Sequence, residues 1–289
     1  MCGIIGFTGR KPAKDILIDG LERLEYRGYD SAGIALLNDD DTLTIRKKAG
    51  RVSELRELCK DGDYSSTCGI GHTRWATHGG VTDANAHPHR CGNVALIHNG
   101  IIENYSDIIR EYGLADKLVS ETDSEVVAAL LDTLYDGDPI AAIRKAVKII
   151  AGSFALCIMF ADRPGIIYAV RNVSPMVAAH SEEGSIIASD LTAIISFSKD
   201  YFVVPEYHIL TMTQEGIRVE DLKGNEVKPQ MLEITWDITA AQKGGFPHFM
   251  LKEIYEQPES LRNTITPRIV NSLPDFTEDG IDDEVFKKL

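Results

Sequence analysis

Apolar residues gather along the chain in short runs bounded by Gly, Asn, Asp or Pro, the punctuation expected of strands. "CGIIGFTG", "SAGIALL", "TLTIRKK", "CGIGHTRW", "NVALIHN", "SFALCIMFA", "GIIYAVR", "PMVAAH" and "SIIAS" all read this way. Helical spacing appears between some of them. In "PAKDILIDGLERLEYRG" the apolar Ile16, Leu17, Leu21 and Leu24 recur on one face, with Pro12 near the start and Gly28 as a stop. "TDSEVVAALLDTLY" opens with Thr122 and Glu125 in capping-box positions, and "DPIAAIRKAVKII" has Asp138 as N-cap with Pro139 at the first helical position. Those two helices run consecutively. Strands and helices therefore do not alternate as βαβ units, and the expectation is an α+β layered fold of stacked, mainly antiparallel sheets with helices outside. Beyond about Ile234 the pattern changes: "AQKGGFPHFMLKEIYEQPESLRNTI" predicts a Gly-Gly-Phe-Pro turn feeding a polar helix, read as a linker.

Composition narrows the function classes. The 289 residues are 44% hydrophobic and 26% charged, enough for a large domain, or a domain plus an extension. No stretch approaches the roughly 20 apolar residues of a membrane span, and no charged-then-apolar leader opens the sequence, so a cytoplasmic protein is expected. Thirty basic against 44 acidic residues give a net charge of −14, which disfavours a nucleic-acid partner and leaves small molecules or proteins. Five cysteines without a C-x-x-C pair suit reduced thiols better than disulfides or a zinc site.

Cys2 directly follows Met1. If Met1 is trimmed, Cys2 carries a thiol and a free α-amine on one carbon. An N-terminal amine with a pKa of about 7.7–8.0 can take the proton of a thiol near 8.5 without a separate histidine base. A retained Met1 would bury that amine in a peptide bond, and a non-catalytic glutamine-binding or assembly module is then the alternative. The second informative stretch, "GIGHTRWATHGGVTDANAHPHRCGNVALIHNG", holds five of the eight histidines: His72, His78, His87, His89 and His98. Their spacing matches no zinc-finger or metalloprotease pattern, so hydrogen-bonded loop histidines are expected and a metal is not. Arg74 offers a guanidinium fork suited to a carboxylate. "HNG" at 98–100 reads either as a strand end presenting amide and N–H donors to an oxyanion or as a turn.

The segments "MCGIIGF", "LERLEYRGYDSAGIA", "GHTRWATHG", "NAHPH", "HNGIIENY", "SETDSEV" and "KEIYEQPESLRNT" resemble the glutaminase half of the glutamine–fructose-6-phosphate aminotransferases. These are class II glutamine amidotransferases within the N-terminal nucleophile hydrolases. The resemblance implies a four-layer αββα sandwich, a domain over residues 2–233, and a linker leading toward an absent sugar-phosphate isomerase region over 234–289. It implies Cys2 as the nucleophile on the glutamine amide, with Asn99 and Gly100 as the oxyanion hole. Arg74 would grip the substrate α-carboxylate and Asp123 its α-ammonium. Trp75, Thr77 and His78 would belong to a glutamine-covering loop, His87 to the pocket wall, and Arg27 and Gly28 to the surroundings of the nucleophile. No cofactor and no metal are implied. Glutamine is the expected partner, homodimers are possible in the family, and neither nucleic acid nor membrane is expected. "EYRGYDSAG" separates the chain from other class II amidotransferases, the second alternative.

Two departures stand out: Val81 where relatives often have proline, and Val173 where glycine commonly precedes Ser-Pro. The family also continues into two isomerase modules where this sequence stops at Leu289, so the ammonia-supplying half-reaction is expected here and the aminotransfer to sugar is not.

Overall fold

The computed structural model describes residues 2–38, 40–62, 64–76, 79–235 and 245–281. It divides into two compact units, Met1–Thr235 and Trp236–Leu289. Among the described residues no helix is long and apolar enough to cross a membrane.

The first unit is built on two sheets. Strands β1 (Gly3–Gly9), β2 (Ser31–Leu37), β3 (Leu43–Ala49) and β4 (Cys68–Arg74) belong to the first, with β9 (Val177–Ser181), β10 (Gly184–Ala188), β11 (Asp200–Val203) and β14 (Leu232–Glu233), in the order β14-β11-β9-β10-β1-β4-β2-β3. The second holds β5 (His89–Cys91), β6 (Val94–Ile102), β7 (Gly152–Phe160), β8 (Ile167–Asn172), β12 (His208–Thr213) and β13 (Gly216–Asp221), in the order β13-β12-β8-β7-β6-β5. Neighbouring strands in both sheets pair antiparallel.

Three apolar layers hold these sheets in a four-layer stack. Ile5 and Phe7 of β1 and Ile34 and Leu36 of β2 pack under Leu17, Leu21 and Leu24 of α1 (Ala13–Leu24) and under Val52 and Leu55 of α2 (Val52–Leu58). Between the sheets, Ile4, Leu37 and Ile70 meet Ile97, Cys157, Met159 and Leu210. On the far side, Leu96, Phe154, Leu156 and Phe160 pack against α4 (Asp123–Leu134) and α5 (Pro139–Ile149), with α3 (Tyr105–Tyr112) alongside. Both faces of β1, β2 and β4 are covered, and every residue of those strands is buried. The arrangement is the αββα sandwich the resemblance implies.

The capping signals act locally. Thr122 Oγ1 accepts from Glu125 N at 3.3 Å, and Asp138 Oδ1 accepts from Ala141 N at 3.0 Å ahead of Pro139. The Glu125 carboxylate reaches past the N-cap to the backbone N–H groups of Val119 and Ser120, at 3.0 and 2.6 Å, so it fastens the entry to α4 instead of closing a reciprocal box. One expectation is revised. "HNG" does not end a strand: β6 continues through Gly100 to Ile102, paired with β7 as far as Gly152. Gly100 makes this possible at φ +135, where a Cβ would overlap the Ser153 carbonyl oxygen.

In the second unit, α6 (Phe249–Ile265) forms where the polar helix is expected and carries Pro258 inside it. Gly244 of the turn ahead of it lies outside the described residues.

Candidate active site

The inner faces of the two sheets change character at one end. On β4, Cys68 and Ile70 belong to the core between the sheets, and the next two positions on that face are His72 and Arg74. On β6, Ala95 and Ile97 are followed by Asn99; on β1, Ile4 is preceded by Cys2. Strand alternation thus carries a thiol, a guanidinium, an imidazole and an amide to the same edge of the sandwich. The N-terminus of α4 adds Asp123 from the opposite layer. A cleft opens there, lined by Cys2, Arg74, Trp75, His87, His98, Gly100, Thr122, Asp123 and Ser124.

Trp75 N donates to Cys2 Sγ at 3.2 Å. Burial pushes the Cys2 thiol pKa up, opposed by that hydrogen bond and by the charge of Arg74. Asn99 Nδ2 donates to the Cys2 carbonyl at 3.1 Å, and Asn99 Oδ1 lies 3.0 Å from His72 Nε2. Arg74 is 4% exposed; its Nη1 donates to Gly80 O at 3.0 Å and its Nη2 to Gly79 O at 3.4 Å, tying the following loop to β4. Burial pulls its pKa down, against the charges of Cys2, Asp30 and Asp123. Asp123 stands in the first turn of α4, where the helix dipole favours a carboxylate, and Oδ2 accepts from Ile102 N at 2.8 Å.

Arg27 lies behind β1, not in the lining of the cleft. Its Nη1 donates to Asp190 Oδ2 at 2.8 Å and to Ser189 O at 3.4 Å, while Ser189 Oγ accepts from Ile4 N at 3.0 Å. Gly28 follows it in extended backbone at φ 178. Trp75 is half exposed and meets Tyr29 edge-on at 6.4 Å, with the Arg51 guanidinium 5.0 Å over the Tyr29 ring. Thr77 and His78 lie outside the described residues.

Of the five clustered histidines, four are buried: His87 in the loop before β5, and the other three on strands. His72, His89 and His98 sit on β4, β5 and β6. The His87 ring lies tilted against His72 at 4.0 Å and edge-on to His89 at 4.6 Å, and neither of its ring nitrogens has a hydrogen-bond partner among the described residues. His89 Nε2 reaches Thr122 Oγ1 at 3.0 Å, and His98 Nδ1 reaches Ser124 Oγ at 2.9 Å. Burial pushes all four pKa values down, that of His72 to about 3. Among the described residues no group of three or more His, Cys, Asp or Glu is placed to share a metal ion. His72, Asp30 and Ser124 were not among the site residues expected from the sequence. The alternation Cys68, Ile70, His72, Arg74 is the signal by which His72 was reachable.

A family profile described as "Glutamine amidotransferase domain" matches residues 72–196. The chain is 43% identical over 279 residues to a glutamine–fructose-6-phosphate aminotransferase (isomerizing) of Clostridium acetobutylicum, covering 95% of this chain and 45% of that one. It is 44% identical over 272 residues to the protein of the same name from Thermus thermophilus, covering 93% and 45%. The chain thus spans about 45% of the length of these curated relatives. Its fold is similar to that of the glutamine phosphoribosylpyrophosphate amidotransferase of B. subtilis, with a TM-score of 0.67 at 24% identity over 78% of this chain and 50% of that one. A structure titled as the allosteric regulatory enzyme of purine biosynthesis gives 0.68 at 25% identity, over 76% and 49%.

Proposed function

The chain belongs to the class II glutamine amidotransferases, on the glutamine–fructose-6-phosphate aminotransferase branch, and on that premise we propose that it hydrolyses the glutamine side-chain amide through a Cys2 thioester. The sulfur attacks the amide carbon and forms an S–C bond, and the amide oxygen becomes an oxyanion. Collapse of that intermediate breaks the C–N bond and releases ammonia, with the thiol proton passing to the leaving nitrogen. Water then attacks the thioester, giving glutamate and the free thiol. With Met1 removed, the Cys2 α-amine is the base that carries the proton between these steps.

The reading is supported above all by one observation: Cys2 and two oppositely charged buried groups, Arg74 and Asp123, line one cleft, and the Asn99 amide is hydrogen-bonded to the Cys2 carbonyl. Asn99 and Gly100 supply oxyanion donors. Arg74 grips the α-carboxylate and Asp123 the α-ammonium, which selects a free amino acid; the loop carrying Trp75, Thr77 and His78 covers it, and His87 forms the wall. Arg27 holds the β1 end through Asp190 and Ser189. The ammonia serves amino-sugar synthesis from fructose 6-phosphate on isomerase modules of the kind that the longer relatives suggest. The purified chain should release glutamate and ammonia from glutamine in the presence of EDTA. Cys2→Ala should lower kcat on the order of 10⁴-fold or more while the far-UV spectrum is kept. Parental activity in a folded Cys2→Ala protein would rule the mechanism out.

A further inference from the structure

We infer that His72 is a positioning residue that fixes which end of the Asn99 amide faces the nucleophile, so that its loss impairs the chemical step and not the binding of glutamine. The inference rests on the reading of Asn99 as an oxyanion donor.

The argument is one of donors and acceptors. His72 Nε2 lies 3.0 Å from two oxygens, the His98 backbone carbonyl and Asn99 Oδ1. A backbone carbonyl only accepts, so Nε2 must carry the ring proton. The alternative tautomer would set an imidazole lone pair against the His98 oxygen and bury an N–H at Nδ1, an atom with no partner among the described residues. With Nε2 as the donor, the amide end turned toward His72 must be the oxygen, because an NH₂ group there would oppose donor to donor. The O/N choice in an amide is otherwise ambiguous, and here the histidine resolves it.

The far end of the amide agrees. Asn99 Nδ2 meets another acceptor-only group, the Cys2 carbonyl, at 3.1 Å. Two backbone carbonyls thus bracket a directed chain, His72 N–H to Asn99 oxygen, then Asn99 N–H to Cys2. The second Nδ2 hydrogen has no acceptor among the described residues, and it is the one left for the developing oxyanion. His72 is fully buried, and the His87 ring tilted against it at 4.0 Å holds its plane. Burial keeps the ring neutral, its pKa lying near 3, so this polarity is constant through the neutral range. His72 is not in the lining of the cleft; it acts through Asn99.

The test compares His72→Leu, His72→Phe, His72→Gln and Asn99→Ala with the parent chain. Phe keeps a ring against His87 without a donor, and Gln restores an N–H on a flexible arm. Three quantities are measured: kcat and KM for glutamine, the affinity for glutamate, and the affinity for the aldehyde in which –CHO replaces the side-chain amide. The Cys2 thiol adds to that aldehyde, its proton passing to oxygen, and the resulting hemithioacetal oxygen occupies the oxyanion position. His72→Leu and His72→Phe should lower kcat on the order of 10²-fold, the loss typical of a disabled oxyanion donor. Aldehyde affinity should fall by a similar factor, with KM and glutamate affinity changed less than about threefold, and His72→Gln should recover at least about tenfold in kcat. A folded His72→Phe chain with parental kcat overturns the inference. So does an equal loss of glutamate and aldehyde affinity, or a His72→Phe chain that cannot fold, since either makes the residue structural. Parental kcat in Asn99→Ala would instead refute the oxyanion reading itself, leaving the two failures distinguishable.

Discussion

Moving this protein from pH 7.5 to pH 5.5 should destabilise it steeply, and the buried histidines set the amount. His72, His87 and His89 are 0, 4 and 1% exposed, and burial, the dominant cause, holds each neutral far below its usual pKa. Arg74 adds positive charge near all three, and Lys47 does so near His89. In the unfolded chain these rings titrate near 6.5, so between the two pH values the unfolded state gains protons that the folded state does not. Folded pKa values below unfolded ones mean that the stability is fully present above about pH 6.5 and is lost as pH falls toward the folded value. For one such ring the interval costs RT ln[(1 + 10)/(1 + 0.1)], about 1.4 kcal/mol, so three give about 4 kcal/mol. That is a large share of the 5–15 kcal/mol typical of a domain. His98 adds less, because the nearby Asp123 carboxylate opposes its desolvation. Carboxylates held low in the folded state, such as Asp221 at about 2, release their stability mainly below the window, since unfolded Asp titrates near 3.9. Urea unfolding at a series of pH values, with a constant m-value, measures the slope directly. Near pH 5.5 it should correspond to roughly 2.7 protons taken up on unfolding, and His87→Phe should remove about 0.9 of them whatever it does to absolute stability. Stability that varies by less than about 1 kcal/mol across the interval would refute the reasoning.

Two substitutions test the backbone. Val173 has φ +65 and is 67% exposed, so a β-branched side chain sits in left-handed backbone without burial to hold it there. Val173→Gly should relieve about 1–2 kcal/mol of strain against about 0.5–1 kcal/mol of added unfolded-state entropy, raising Tm by about 2 °C in a thermal melt; a lower Tm would contradict it. Gly100→Ala should cost about 3 kcal/mol or more in urea unfolding, because the methyl group meets the Ser153 carbonyl at φ +135, and should lower kcat for glutamine; a parental unfolding midpoint would contradict it.

The layered fold was legible because both sheets announce themselves by short apolar runs, and nine of those runs correspond to β1, β2, β3, β4, β6, β7, β8, β9 and β10. The β12–β13 hairpin was not. Its turn is Gln214-Glu215, followed by Gly216 opposite Thr213, without the Asn-Gly or Asp-Gly pair that marks a hairpin. Its apolar positions alternate with Thr and charged residues too weakly to stand out. Helix α3 was missed for a related reason: Ile108 is its one fully buried residue, so its apolar face is short. "HNG" misled in the opposite direction. Asn-Gly is a turn signal where the chain is exposed, yet here β7 supplies a partner strand on one side, and tertiary pairing overrides the local preference.

The candidate site was legible in part, and the division has a physical cause. Cys2, Arg74 and Asn99 differ enough in chemistry from their neighbours to be noticed singly. His72 does not, because a histidine among five in one stretch reads as one more polar loop residue. Its placement follows from the two-residue period of β4: Cys68 and Ile70 are buried between the sheets, so His72 must point there too. A buried imidazole needs a partner, and the sheet opposite offers Asn99 after Ala95 and Ile97. Reading each strand's inner stripe to the point where it turns polar therefore finds Cys2, Asn99 and His72 by one rule. That rule needs the pairing of sheet on sheet, which no single strand contains, and so the link from His72 to Asn99 emerged only with the folded chain.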